Sequence, residues 1–122
     1  MAKDDYEVIV YRVLVYLYAC MKRKIMYEEI SFREAVRKNV ESDEYFAKVI
    51  SMMKSEGLIT KVSIVEAWGG DCIIASDLRD MEITAEGIRY LKENSTMNKV
   101  GAMLKESVDT IARLAVIVGL IV

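Results

Sequence analysis

Side chains that could perform chemistry are few in this chain of 122 residues. Histidine, the commonest general base and zinc ligand, is absent from the sequence. Cys20 and Cys72 lack the short spacing of a metal site, and we expect both to be buried, unreactive thiols. Neither a glycine-rich phosphate loop nor a nucleophile motif is present. We therefore predict no catalytic residue, no cofactor and no enzymatic activity.

Two pairs of carboxylates remain that could bind a divalent cation, namely Asp77 with Asp80 and Glu28 with Glu29. A calcium-binding EF-hand loop needs oxygen ligands at regular positions, and neither pair belongs to such a series. We therefore predict no metal site.

Side chains suited to contacts with nucleic acid or a partner protein are concentrated in the middle of the chain. They are Lys48, Ser51, Lys54, Ser55, Lys61 and Trp68. Affinity for duplex DNA rests largely on the neutralisation of phosphates by basic residues. Between Lys61 and Glu82, however, acidic residues outnumber basic ones, and the net charge of the chain is −2. The charge therefore favours a protein partner, and duplex DNA remains the alternative.

Trp68, the only tryptophan, precedes Gly69 and Gly70 in a predicted turn. An aromatic side chain at this position could anchor a partner. It could equally fold back on its strand and cover the core. The sequence leaves both interpretations open.

A second group of basic residues could form a phosphate-binding patch: Lys22, Arg23, Lys24, Arg33, Arg37 and Lys38. Glu28, Glu29 and Glu34 lie among them, at spacings that permit ion pairs along a helix. We favour the interpretation that this is a solvated, ion-paired face.

The elements that must position these residues begin with an apolar helix over residues 4–22, whose apolar residues cover most of its circumference. Residues 24–30 alternate weakly and predict a short strand. Ser31 and Glu34 fit a capping box, which predicts a second helix over 32–38. Ser42 caps a third helix that ends at Gly57 and buries Phe46, Val49, Ile50 and Met53.

A β-hairpin is predicted next, with a strand over 58–68, a turn over 69–71 and a return strand over 72–75. The polar residues 76–80 extend or bulge this hairpin. Thr84 caps a fourth helix, and Ser95 or Thr96 begins a fifth. The buried face of the fifth helix comprises Val100, Met103, Leu104, Val108 and Ile111. The order of elements predicts an α+β winged helix, in which the second and third helices form a helix-turn-helix pair, with an additional C-terminal helix.

The sequence resembles the YjcQ-like family of small winged-helix proteins from Firmicutes and their phages. The resemblance covers roughly residues 24–105 and is carried by residues 44–59, Ile83-Thr84-Ala85-Glu86-Gly87 and Tyr90-Leu91-Lys92-Glu93-Asn94. It implies a winged-helix fold and a phage or prophage association. It supplies no catalytic residues, because none is established for the family's motif.

The C-terminal tail ends on nine apolar residues after Arg113. As a helix these residues span about 13–14 Å, under half of a hydrocarbon core near 30 Å, so we predict no transmembrane segment. We expect the tail to pack against the first helix, either within the chain or across a homodimer. The predicted dimer interface comprises Val8, Tyr11, Val15, Tyr18, Ile111, Leu114, Ile117, Val118 and Ile121.

The whole chain, residues 1–122, is predicted to be one winged-helix domain, with a core over about 4–94 and a C-terminal helix and tail over about 96–122. An acidic start and two thiols predict a cytoplasmic protein. The functional hypothesis is a phage-derived binding module that contacts a host or phage protein. The alternative is a transcriptional regulator that binds DNA through the third helix and the wing.

Overall fold

The computed structural model describes residues 5–121 and contains six α-helices and four short β-strands in that range. In chain order they are α1 (Tyr6–Met21), α2 (Glu29–Val36), α3 (Asp43–Ser55), β1 (Ile59–Thr60), β2 (Ile64–Glu66), β3 (Cys72–Ile74), β4 (Glu82–Ile83), α4 (Ala85–Glu93), α5 (Ser95–Glu106) and α6 (Thr110–Ile117). The fold is α+β: the α2–α3 pair is followed by a β-hairpin, as in a winged helix, and then by further C-terminal helices.

Helix α1 is the central element of the fold, and the helix predicted over 4–22 is confirmed over Tyr6–Met21, with residue 4 outside the described residues. Every residue from Val8 to Ala19 is buried. The helix packs against each of the other five described helices and against β4. Apolar residues cover most of the circumference of α1 because neighbours from the same chain surround the helix.

The predicted strand over 24–30 is absent, and α2 begins at Glu29 rather than at Phe32. The carboxylate of Glu28 caps the helix, accepting hydrogen bonds from the backbone N–H groups of Ile30 and Ser31 at 3.2 and 2.8 Å. Ser31, the predicted cap, lies inside the helix, and its hydroxyl is 3.2 Å from that of Tyr16. The capping-box prediction was therefore wrong because the helix starts one turn earlier.

Helix α3 follows the sequence prediction closely. The hydroxyl of Ser42 accepts a hydrogen bond from the backbone N–H of Tyr45 at 3.1 Å, which satisfies one of the free donors of the first turn. Gly57 ends the helix with φ of 76°, a left-handed conformation that glycine adopts without steric cost. The predicted core residues Phe46, Val49, Ile50 and Met53 are buried.

The predicted strand over 58–68 is divided in two, because Lys61 adopts a left-handed conformation with φ of 60°. Strand β1 pairs antiparallel with β4, which the sequence did not predict, and β2 pairs antiparallel with β3. Residues 68–70 form a 3₁₀ turn at the hairpin tip. A second 3₁₀ turn, Leu78–Asp80, returns the chain to β4.

The C-terminal region contains two helices where the sequence predicted one. The predicted cap at Thr84 is confirmed, and Asn94 caps α5, which starts at Ser95. Helix α5 ends at Glu106, and Val108 follows with φ of 54° and its side chain 67 % exposed. Its predicted place on the buried face was wrong because the chain turns there. Helix α6, which begins the apolar tail, packs against α1 of the same chain.

Candidate functional site

The hairpin β2–β3 has two chemically different faces. Val65 lies directly opposite Ile73, and both side chains are about half exposed, at 52 % and 53 %. Cys72 is buried, and Ile64 and Ile74 pack against the core. Because side chains alternate between the faces of a strand, the inner face covers the core and the outer face presents apolar side chains to solvent.

Trp68 is 100 % exposed at the tip of this hairpin. The interpretation that Trp68 folds back to cover the core was therefore wrong. Gly69 and Gly70, both with positive φ, form the tight turn that carries it. We call Val65, Trp68 and Ile73 the wing surface.

The hairpin that carries the wing surface also carries acidic side chains. Glu66 and Asp71 are exposed residues of the hairpin. Lys61 is 3.1 Å from Glu82, so its charge is paired locally. The guanidinium of Arg79 lies 5.9 Å from the centre of the Tyr27 ring. This arrangement disfavours a phosphate backbone and is complementary to a basic partner.

A groove of about 270 Å³ lies between α3 and β3 at the base of the wing. Ile73 belongs both to this groove and to the wing surface, and Phe46 and Leu78 contribute further apolar walls. On its rim, Asp43 forms an ion pair with Arg37 at 2.7 Å. The groove could therefore receive an apolar side chain from a molecule bound at the wing surface.

The candidate contact residues of α3 are mostly accessible. Lys48, Lys54 and Ser55 are exposed, and Ser51 is half-buried. Tyr45 and Met52 are exposed at 39 % and 44 %, and sequence reasoning missed them. Their spacing from Lys48 is the helical period, which could have revealed a shared face. This face mixes lysine with apolar side chains.

The second group of basic residues is largely engaged in contacts within the chain. Arg33 lies 3.6 Å from Glu29, and Lys38 lies 3.8 Å from Asp109. Lys22 donates a hydrogen bond to the backbone carbonyl of Val118 at 3.0 Å, close to the end of α6. Arg33 with Glu29 is the predicted kind of ion pair along a helix, whereas Lys38 and Lys22 contact residues that flank α6.

The residues of the predicted dimer interface occupy two environments. Buried within the chain are Val8, Tyr11, Val15, Tyr18, Ile111 and Val118, because α6 and the other helices cover α1. Leu114 and Ile121 are half-buried, and Ile117 is 53 % exposed. A contact between two folded copies would therefore have to use this second set.

The prediction that both cysteines are buried is confirmed for Cys72 and was wrong for Cys20. Both thiols are free; Cys72 is buried, and Cys20 is half-buried. Burial raises the pKa of the Cys20 thiol, which reduces its nucleophilic thiolate fraction. Within residues 5–121 no group of three or more His, Cys, Asp or Glu residues could hold a metal ion. Over the same residues, none of the helices is long and apolar enough to span a bilayer.

Comparison with known proteins gives a family match. A family model described as YjcQ protein matches residues 11–110. Neither a curated protein nor a solved structure matches the chain.

Proposed function

Since the chain belongs to the YjcQ family, we propose that it is a non-enzymatic winged-helix module that binds a protein partner through its wing surface. One observation carries the proposal: Trp68 is fully exposed beside the cross-strand pair Val65 and Ile73. A soluble protein gains nothing for its own stability from an apolar side chain in this position, whereas tryptophan is enriched among the residues that dominate binding energy.

The proposed partner has a basic surface around an apolar pocket. Trp68 enters the pocket, and an apolar side chain of the partner enters the groove beside Ile73. Glu66 and Asp71 attract lysine or arginine residues at the rim, which accelerates association and excludes acidic partners. The family resemblance supports a phage or prophage protein that acts on a host or phage factor with such a surface.

The proposal is tested by replacing Asp71, which is exposed in the same hairpin, with a photo-crosslinking amino acid in cells of the source organism, so that Trp68 is kept. A matched chain carries the same amino acid at Lys99, which is exposed on α5. We expect one protein adduct from position 71 that position 99 does not give. Excess wild-type chain should suppress this adduct, and a Trp68→Ala chain should not. Failure to obtain a protein adduct at position 71, or equal adducts at both positions, would refute the proposal.

The alternative function is a DNA-binding regulator. It is favoured by the exposure of Lys48 and Lys54 on α3, which occupies the position of the recognition helix in a helix-turn-helix pair. Genomic fragments retained by the protein at physiological salt, and lost with Lys48→Ala and Lys54→Ala but not with Trp68→Ala, would support the regulator and not the protein-binding module.

The proposal includes a cytoplasmic location, supported by the free thiols Cys20 and Cys72. It also includes a homodimer formed through Ile117 together with Leu114 and Ile121.

A further inference from the structure

A second cleft, of about 270 Å³, lies where α1, α4, α5 and the segment after α6 meet. Leu91, Met97, Leu120 and Ile121 line its apolar walls. None of the residues of the wing surface contributes to it. The cleft has room for about nine water-sized groups, which is the size of a small organic molecule.

The hydroxyl of Tyr11 belongs to this cleft although the residue is only 2 % exposed. It forms no hydrogen bond within the described range 5–121. Burial raises the pKa of Tyr11 to about 12, so the hydroxyl remains a protonated donor at neutral pH. The enclosed side-chain atoms without a partner in residues 5–121 are Arg12 Nε and Arg37 Nε, so the Tyr11 oxygen is accessible from the cleft and is free to donate to a molecule bound there.

Gly101 makes room for the Tyr11 side chain to reach the cleft. A Cβ atom at position 101 would lie 2.6 Å from the Tyr11 hydroxyl oxygen, closer than packed atoms approach. The helix therefore carries glycine in its interior, where alanine would favour helix formation by about 1 kcal/mol. Phenylalanine at position 11 would fill the same core volume without a polar atom.

A positively charged side chain, that of Lys92, lies at the rim of the cleft. Lys92 is exposed and lines the cleft together with Asn98. The Lys92 ammonium lies 5.6 Å from the centre of the Tyr18 ring, which restrains the side chain. An apolar chamber with one buried hydroxyl donor and one cation suits an amphipathic anion.

We propose that this cleft binds a small monocarboxylate with an apolar body. The carboxylate accepts a hydrogen bond from the Tyr11 hydroxyl and is attracted by Lys92. The apolar body contacts Leu91, Met97 and Leu120. This site is independent of the proposed partner-binding role of the wing surface.

The test is a titration of the isotope-labelled full chain with octanoate, followed by NMR. We expect saturable shifts of the backbone amides of Leu91, Met97, Gly101 and Gly119. Octanol, which has the same apolar body without the charge, should bind more weakly. Dodecanoate should not bind more tightly than octanoate, because the cleft limits the length of the apolar body.

Variants separate this site from adventitious adsorption of an amphiphile. Tyr11→Phe should keep the fold and weaken octanoate binding roughly tenfold, as expected for a lost hydrogen bond to a charged group. Lys92→Gln should also weaken binding, whereas Lys99→Gln, which removes the same charge outside the cleft, should not. Shifts that do not saturate, shifts centred on other residues, or unchanged affinity of a folded Tyr11→Phe variant would overturn the proposal.

Discussion

The guanidinium of Arg12 donates two hydrogen bonds to the carboxylate of Asp109, at 2.7 and 2.9 Å, inside the protein core. The two side chains are only 1 % and 6 % exposed. Arg12 also donates to the backbone carbonyl of Ala35 at 3.1 Å, and Asp109 accepts from the backbone N–H of Ile111 at 3.0 Å. The pair therefore ties α1 to the end of α2 and to the start of α6.

We expect Asp109→Asn to lower the free energy of unfolding by about 3–5 kcal/mol, because it leaves the Arg12 charge buried without a counter-ion. Chemical denaturation of both chains measures this difference. Glu82→Gln is the control, since it breaks an ion pair with Lys61 in which the two side chains are 58 % and 61 % exposed. An exposed pair contributes about 0–1 kcal/mol, so equal losses in the two variants would contradict the prediction.

The same pair predicts a pH dependence of stability. Burial alone would raise the pKa of Asp109, but hydrogen bonds from Arg12 and Ile111 and the charges of Arg12 and Lys38 lower it below its ordinary value of 3.8. The stabilisation by the ionised carboxylate is therefore complete above pH 3.8 and is lost as the pH falls through the lowered pKa.

We accordingly expect the stability gap between the wild-type chain and Asp109→Asn to be constant at neutral pH and to narrow as the pH falls below 3.8. Denaturation midpoints at a series of pH values measure the gap. A gap that stays constant into strong acid would show that the pair does not depend on ionisation of Asp109.

Local signals in the sequence predicted much of the fold. Ser42, Gly57 and Thr84 mark helix ends through hydrogen bonds or backbone angles confined to one helical turn, so a short window of sequence contains all the information. Arg12 and Asp109 are 97 residues apart. An arginine within an apolar helix gives no local indication of which acid it will meet.

Other wrong predictions also arise where the local sequence lacks the information. The pairing of β1 with β4 joins Ile59 to Ile83 across the whole hairpin, and both strands are too short to show an alternating pattern. Lys61 divides the predicted strand and Val108 follows the end of α5, and both adopt positive φ. Because neither is a glycine, the residue type does not indicate a turn at either position. The exposure of Trp68 could not be predicted either, because the residue types around it fit both a tryptophan that covers the core and one that is exposed at the wing tip.

Truncation of the core should lower the stability of the fold, whereas truncation of the wing should leave it nearly unchanged. Phe46→Ala and Ile50→Ala should each lower the unfolding free energy by about 2–5 kcal/mol, since these side chains are 2 % and 0 % exposed. Trp68→Ala should change it by less than about 0.5 kcal/mol, because Trp68 is fully exposed. Denaturation midpoints compare the three. A large loss with Trp68→Ala would show that this residue stabilises the fold.

Val108→Asn should stabilise the protein by about 1 kcal/mol. A β-branched residue at φ of 54° is strained, asparagine tolerates this conformation, and little burial is lost at a side chain that is 67 % exposed. Val116→Asn is the control, because it makes the same chemical change at a residue of α6 that has an ordinary helical conformation. The side chain of Val116 is 46 % exposed. A gain at position 116 and none at 108 would contradict the argument.

The last prediction concerns the oligomeric state of the protein, which we propose to be a homodimer. With most of α1 covered by its own chain, the apolar surface left for a second copy includes Ile117, which is 53 % exposed, and the half-buried Leu114 and Ile121. A symmetric contact would place Ile117 of both copies in one twofold interface. The substitution Ile117→Lys would therefore put two positive charges in that interface, where they repel each other. We therefore expect light scattering to give a dimer for the wild-type chain and a monomer for Ile117→Lys. Ile30→Lys, at a side chain 65 % exposed on α2, should remain dimeric. A monomeric wild-type chain at high concentration, or dissociation by both substitutions alike, would exclude this interface.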